Sequence, residues 1–145
     1  MKKFLSTEII ILASPELVWG ILSDFEKYTE WNPFIGEVKG EVKIGNKISI
    51  KIIPTGSKGK KFKPRVISVI EKKEIRWLGS IVVKGLFDGE HILSLTDNGD
   101  GTTTFEQKEN FSGILVRTFN TDSTKSGFEA MNRKLKELAE SAEKQ

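Results

Sequence analysis

The most informative part of the chain runs from Ala13 to Phe34 and reads ASPELVWGILSDFEKYTEWNPF. Ser14 can cap the free backbone N–H groups of a helix, and Pro15 suits the first helical position. The apolar side chains that follow recur at helical spacing: Leu17, Val18, Ile21 and Leu22. The segment therefore predicts a helix that begins after Ser14, and then a second short helix over residues 25–29 that ends before Pro33.

Outward from this segment the sequence predicts strands. Residues 4–13 are rich in β-branched side chains, and after residue 34 the apolar period changes from about 3.6 to about 2. Strands are predicted over 35–42, 47–52, 61–71, 74–83, 89–96 and 102–111, with a loop at 54–59 and a tight turn at 97–101. A long helical stretch follows Gly113 and ends near Glu140.

This order of elements predicts an α+β fold in one domain, residues 1–145. Consecutive strands with short turns form an antiparallel sheet, here of about six to seven strands, and two short helices follow the first strand. The apolar face of the sheet needs a cover, and the C-terminal helix is the only element long enough to provide it. A curved sheet wrapped around one helix leaves a cavity between them, which is the expected ligand site.

The amino-acid composition excludes most common catalytic groups and metal sites. The 145 residues contain no cysteine and one histidine, which removes disulfides, thiol nucleophiles, cysteine zinc sites and multi-histidine metal centres. The formal net charge is +3, a poor match to a nucleic-acid binder. No segment reaches the ~20 apolar residues that span a bilayer, and the apolar stretch after the basic N-terminus is too short for a signal peptide. We expect a cytoplasmic protein with no metal, no cofactor, no nucleic-acid partner and no stable membrane insertion.

Several motifs carry a resemblance to a known family. They are Ser14-Pro15-Glu16-Leu17-Val18-Trp19, Asp24-Phe25-Glu26-Lys27-Tyr28, Trp31-Asn32-Pro33, Phe87-Asp88-Gly89-Glu90-His91 and Gly127 to Asn132. The chain resembles the SRPBCC / START-like superfamily, and within it a bacterial subgroup. This superfamily includes the birch-pollen-allergen type proteins, the START lipid-transfer domains, the polyketide cyclase/dehydrase group and the Hsp90-ATPase-activator homologues. The resemblance implies a helix-grip fold over nearly the whole chain, and it names no function because this fold hosts many.

His91 and Glu109 are the candidate catalytic residues. If the last hairpin turns at Asn98-Gly99, His91 lies opposite Glu109, Leu93 opposite Gln107 and Leu95 opposite Phe105, all on the inward face. The pair has the chemistry of a general acid and base. The preferred interpretation is a polar pair that fixes register or orients a ligand, because nothing beside it supplies a nucleophile or metal. A register change of two residues would instead place Gln107 opposite His91.

Apolar side chains are expected to form most of the ligand site. Trp31 and Phe34 lie on the presumed entry loop, and Ile50 shares a strand face with two further isoleucines. The polar run 120–127 predicts a kink or a polar patch, with Phe119 and Ser123 facing the cavity. The complete set of predicted ligand-binding residues is Trp31, Phe34, Ile50, Trp77, His91, Leu93, Phe105, Gln107, Glu109, Phe119 and Ser123. Phe87, Phe111 and Phe128 belong to the wider set of aromatic residues that pack in the core or at the cavity.

The sequence leaves three hypotheses about function. The first is a binding protein, for transport or sensing, of a small hydrophobic or amphipathic molecule. The second is a cyclase, dehydratase or hydrolase that uses His91 and Glu109 in the same cavity. The third is a protein-interaction module like the Hsp90 activators. The basic run from Lys58 to Arg65 could steer an anionic ligand, although a solvated strand edge is the preferred interpretation.

Overall fold

The structure is a computed structural model that describes residues 2–80, 85–118 and 120–145. The strands are β1 (Lys2–Ile11), β2 (Ile35–Lys39), β3 (Ser49–Ile52), β4 (Lys60–Phe62), β5 (Arg65–Ile70), β6 (Glu74–Ser80), β7 (Asp88–Asp97) and β8 (Thr103–Ser112). The α-helices are α1 (Pro15–Leu22), α2 (Tyr28–Trp31) and α3 (Asp122–Glu143), and short 3-10 turns cover Phe25–Lys27 and Ile114–Thr118. The predicted helix-grip class is confirmed.

The segment after β1 folds as its sequence predicts. The Ser14 hydroxyl accepts a hydrogen bond from the Leu17 amide at 3.3 Å, so that α1 begins at Pro15. The second helix runs two residues beyond its predicted end, because Asn32 rather than Thr29 turns the chain. The Asn32 side-chain oxygen accepts from the amides of Phe34 (3.0 Å) and Ile35 (2.8 Å), which directs the chain into β2.

The strands lie in two sheets rather than in one sheet of six to seven. Five strands are ordered β1-β8-β7-β6-β5, and three are ordered β2-β3-β4. The predicted strand over residues 61–71 is divided at Pro64, because proline has no amide hydrogen for a ladder. Its two parts, β4 and β5, belong to different sheets, and an isolated bridge joins Arg65 of β5 to Lys47, which lies just before β3. The predicted end of the strand over 74–83 lies outside the described residues.

The register of the last hairpin is confirmed. His91 lies opposite Glu109, Leu93 opposite Gln107, and Leu95 opposite Phe105. Trp77 of β6 lies opposite His91 on its other side. Three neighbouring strands therefore place Trp77, His91 and Glu109 in one row across the sheet.

The C-terminal stretch is a 3-10 turn followed by α3, rather than one helix from residue 113. The Asn120 side-chain oxygen accepts from the Asp122 amide at 2.9 Å, and the α-helix begins there. The buried side chains of α3 include Phe128, Met131 and Leu135, which join one core cluster with residues of the five-stranded sheet. Among residues 2–80, 85–118 and 120–145, no helix is long and apolar enough to cross a membrane.

One glycine of α3 determines how closely the helix meets the chain before β2. A Cβ at Gly127 would meet the Phe34 ring, coming within 2.8 Å of Cε1 and closer still to Cδ1. Glycine is unfavourable inside a helix by about 1 kcal/mol relative to alanine. Its presence here is therefore explained by the close approach of the buried Phe34 ring to the helix backbone.

Candidate functional site

A cavity of about 250 Å³ lies between the two sheets and the N-terminal part of α3. Five aromatic side chains line it, namely Phe34, Phe62, Trp77, Phe87 and Phe111. The aliphatic part of the wall comes from Ile50, Ile52, Pro54 and Pro64. The polar side chains in the wall are Ser57, Lys60, His91, Glu109 and Thr124. Ser57 and Lys60 are exposed, so the cavity reaches the surface beside the loop after β3.

The two candidate catalytic residues form a direct hydrogen bond in this wall. His91 Nδ1 lies 2.7 Å from Glu109 Oε1. Both side chains line the cavity, and that of Glu109 is the more exposed of the two, at 16% against 3% for His91. Gly89 lies beside Glu109, and a Cβ there would collide with the second carboxyl oxygen, Oε2.

Aromatic rings surround the imidazole of His91. The Trp77 ring stacks on it with a centroid distance of 5.0 Å and an angle of 8° between the planes. Phe34 stacks more loosely, at 6.4 Å, and Phe128 meets the imidazole edge-on at 5.1 Å. This packing restrains rotation of the imidazole ring and thereby keeps Nδ1 directed at Glu109.

A chain of buried polar groups continues behind His91. His91 Nε2 lies 2.9 Å from Gln107 Oε1, and Gln107 Nε2 donates to Asn132 Oδ1 at 2.9 Å. Asn132 Nδ2 donates to Thr7 Oγ1 at 2.9 Å, and the Thr7 hydroxyl donates to the Gln107 carbonyl at 3.0 Å. The network therefore connects the cavity wall with α3 and β1. Buried polar groups that are fully paired in this way hold a unique arrangement of side chains.

The structure brings about half of the predicted site residues to the cavity. Phe34, Ile50, Trp77, His91 and Glu109 line it. Gln107 lies behind His91, while Leu93 and Phe105 are fully buried in the core rather than at the cavity. These predicted positions share the inward face of the sheet, but the cavity lies toward one end of the strands only.

Three further predicted residues lie elsewhere. Trp31 is half-buried at the end of α2, where its ring packs edge-on against Tyr28. Ser123 is exposed, and the next residue, Thr124, lines the cavity instead, because the helix starts at Asp122 and this sets which face points inward. Phe119 lies outside the described residues.

Sequence reasoning left several wall residues out of the predicted site. Ile52 alternates with Ile50 on β3, and Phe111 alternates with Glu109 on β8, so the period of two could have placed both. Phe62 and Lys60 were not identifiable in this way, since the predicted strand over 61–71 did not separate β4 from β5. Among the described residues, no three Asp, Glu or His side chains are grouped so that they could hold a metal ion.

The outer face of the three-stranded sheet is basic beside the cavity mouth. Lys39 donates to the Glu37 carboxylate at 3.1 Å and lowers the pKa of that carboxyl group, with smaller effects from Lys61 and Lys51. Lys60 of the basic run is a wall residue, whereas Lys51 and Lys61 alternate with the lining residues and belong to the opposite face of the sheet.

Comparison with known proteins gives one family and many similar folds. The model of the family described as polyketide cyclase / dehydrase and lipid transport matches residues 4–143. A START superfamily protein from Mycobacterium smegmatis superposes with a TM-score of 0.72 at 20% identity, covering 96% of this chain and 98% of that one. Comparison with curated proteins gives no match.

Two enzymes of related fold are also similar. A point mutant of norcoclaurine synthase from Thalictrum flavum, solved with a transition-state analogue, has a TM-score of 0.70 at 12% identity, covering 98% of this chain and 96% of that one. The di-domain ARO/CYC protein StfQ from the steffimycin biosynthetic pathway has a TM-score of 0.74 at 9% identity, covering 98% of this chain and 52% of that one. At these identities the likeness shows the fold alone.

Proposed function

The chain belongs to the polyketide cyclase / dehydrase and lipid transport family, and on this premise we propose that it binds a small hydrophobic or amphipathic molecule in the cavity beside His91 and Glu109. One observation carries the proposal: a mainly apolar wall, with five aromatic and four aliphatic side chains, contains the buried polar pair His91–Glu109. Such a combination supplies affinity from apolar contact and orientation from a few polar atoms.

The size of the wall contact is sufficient for useful affinity. A one-ring ligand buries about 200 Å², as an aromatic side chain does. At ~25 cal/mol per Å² this contributes about 5 kcal/mol, from which the loss of free motion must be subtracted. The expected affinity is therefore modest unless the polar pair adds a hydrogen bond.

Binding is favoured over acid–base catalysis by the partners of His91. Both ring nitrogens already have protein partners, Glu109 at Nδ1 and Gln107 at Nε2. Neither ring nitrogen of His91 is therefore free to take a proton from a substrate, and of the pair only the Glu109 carboxyl group has an oxygen that can accept from a molecule in the cavity. If a substrate were found, His91→Gln would separate the two functions, since unchanged turnover would rule out the dyad as the catalytic group.

A variant that fills the cavity tests the proposal. Ile52→Trp places a larger ring at the half-buried wall of β3, and Ile70→Trp is its control on the exposed side of β5. The assay is ligand-observed NMR with ethylbenzene, together with native mass spectrometry of protein purified from its own source. We expect ethylbenzene, and any molecule that co-purifies with the protein, to bind the wild type and Ile70→Trp. We expect neither to bind Ile52→Trp.

Circular dichroism establishes that each variant is folded before binding is compared. If Ile52→Trp does not fold, the smaller change Ile52→Phe takes its place. Equal binding by the folded filled variant and the wild type would contradict a site in this cavity. Absence of binding to the wild type by ethylbenzene and by all related one-ring probes would contradict the proposed function itself.

A further inference from the structure

The hydrogen bonds behind His91 have only one consistent direction. The Thr7 hydroxyl has a single hydrogen, and the Gln107 main-chain carbonyl, which can only accept, takes it at 3.0 Å. Thr7 Oγ1 must then accept from Asn132, so Asn132 presents its Nδ2 to Thr7 and its Oδ1 to Gln107. The direction is therefore set by a backbone group, which cannot be reversed.

The Gln107 amide is oriented in the same way. Its Nε2 donates to Asn132 Oδ1 at 2.9 Å and faces the Phe128 carbonyl at 3.4 Å, and both of these atoms are acceptors. A flipped amide would place oxygen against oxygen at both contacts. Gln107 Oε1 consequently faces His91 Nε2 at 2.9 Å, and this nitrogen must carry a hydrogen.

His91 Nδ1 and Glu109 Oε1 then share one proton across 2.7 Å. With no proton, a nitrogen lone pair would face a carboxylate oxygen. With two protons, the site would hold an unpaired charge that is almost completely buried. The shared proton lies either on Nδ1 or on Oε1. In both cases Glu109 Oε2 carries no hydrogen and can only accept.

We propose that Glu109 Oε2 is an acceptor-only anchor, and that the ligand is a small aromatic molecule with a hydrogen-bond donor, such as the hydroxyl group of a phenol, that donates to it. This inference rests on the proposed function, and it adds the chemical class of the ligand. Thr7, Gln107 and Asn132 are positioning residues, because they set the direction of the hydrogen bonds without touching the cavity. A ligand carboxylate is rejected at this point, since it would bring acceptor against acceptor.

The cavity volume accommodates about one ring of the ligand, and the opening beside the loop after β3 leaves room for a part outside it. A volume of 250 Å³ equals the liquid volume of roughly eight water molecules. Pockets for drug-sized ligands begin at about 300 Å³, and a sterol or a two-chain lipid needs more. The five aromatic side chains in the wall favour an aromatic ring over a flexible chain, because rings stack with little loss of conformational freedom.

Three probes that share the para-ethylphenyl group test the inference. They are para-ethylphenol, para-ethylanisole, in which a methyl group replaces the donated hydrogen, and para-ethylbenzoate, which is an anion. Dissociation constants are measured by calorimetry at neutral pH. We expect the anisole and the benzoate to bind at least about tenfold more weakly than the phenol, as for a lost hydrogen bond to a charged group.

A pair of variants assigns that preference to Glu109. Glu109→Leu removes the acceptor, and Glu106→Leu makes the same change on β8 at a half-exposed residue that is absent from the cavity wall. We expect the phenol and the anisole to bind Glu109→Leu equally, and the preference to persist in Glu106→Leu. A phenol preference that survives Glu109→Leu, or equal binding of all three probes to the wild type, would overturn the inference while leaving the proposed function intact.

Nitrogen NMR of the wild-type protein tests the positioning residues. This measurement needs no ligand, and it does not depend on whether Glu109→Leu folds. The chain has one histidine, so the imidazole nitrogen signals need no assignment by mutation. We expect Nε2 of His91 to carry a hydrogen at neutral pH in the wild type. A deprotonated Nε2 would overturn the assigned direction of the hydrogen bonds.

Discussion

Gly127→Ala is expected to destabilise the protein, although alanine is the better helix former. The substitution lies inside α3, where the change from glycine alone favours folding by about 1 kcal/mol. The new Cβ, however, would lie 2.8 Å from Phe34 Cε1 and closer to Cδ1. Non-bonded carbon atoms in van der Waals contact are about 3.5–4.0 Å apart, so either the ring or the helix must move.

The Phe34 ring has little room to move. It is 1% exposed, its centroid lies 5.2 Å from that of Phe128, and it stacks on His91. Overpacking at such a site costs about 1–3 kcal/mol or more, which exceeds the gain in helix propensity. We expect a net loss of up to about 2 kcal/mol, or a Tm lower by ~4 °C for each kcal/mol in a chain of this size.

The matched control is Gly20→Ala in α1. Gly20 is exposed, and a Cβ there meets nothing within 4 Å. The control should therefore stabilise the protein by about 0.4–1 kcal/mol. Urea unfolding monitored by circular dichroism measures both variants, with the slope of the transition compared to confirm that the unfolded states are alike.

A double mutant shows whether the Phe34 contact is the cause. Phe34→Leu alone leaves space beside the helix, and Gly127→Ala should become neutral or stabilising in that background. If Gly127→Ala stabilises the wild type as Gly20→Ala does, or costs the same in the Phe34→Leu background as in the wild type, the close-approach argument is refuted.

Two further predictions concern buried polar groups. Tyr28 is the one tyrosine of the chain, and burial, with a smaller effect from Asp24, raises the pKa of its hydroxyl, which donates to the Leu22 carbonyl. The pKa of tyrosine in the unfolded chain is about 10, so the contribution of Tyr28 to stability is complete below that pH and is lost as the pH rises above it. We expect the absorbance of the phenolate to appear only together with unfolding. Its appearance in the folded protein near pH 11 would contradict burial of the hydroxyl group. Asn132→Leu leaves Thr7 and Gln107 with fewer hydrogen-bond partners, and it should lower the free energy of unfolding in urea by about 1–3 kcal/mol. The control is Arg133→Leu at the exposed neighbouring residue, which should change the free energy of unfolding by less than about 0.5 kcal/mol. Equal effects of the two substitutions would contradict a structural role for the chain of buried polar groups.

Local signals were sufficient for the elements and for one long-range pairing. A few neighbouring residues with strong backbone preferences predict the start of α1 at Ser14-Pro15 and the turn at residues 97–101. Once that turn is placed, its length fixes the register, and His91 lies opposite Glu109. The helix-grip class follows because the order of elements leaves few other ways to cover the sheet.

The details of the candidate site depended on contacts between distant elements. The assignment of Thr124 rather than Ser123 to the wall depends on where α3 begins, and a shift of one residue rotates a side chain by about 100° around the helix axis. The division at Pro64 moved Phe62 into the second sheet, where it faces the cavity. Period alone could not show either result.

The sequence by itself determined the fold class and the α1 start, because each depends on local preferences or on the order of elements. It predicted the opposition of His91 and Glu109 from the position of the turn at residues 97–101, whereas a period of two is unchanged by a register shift of two residues. Only the tertiary structure decided that Gln107 turns from the cavity toward Asn132 and thereby sets the proton on His91. The physical reason is that an amide side chain donates and accepts equally well, so its direction depends on which fixed backbone groups the fold places beside it.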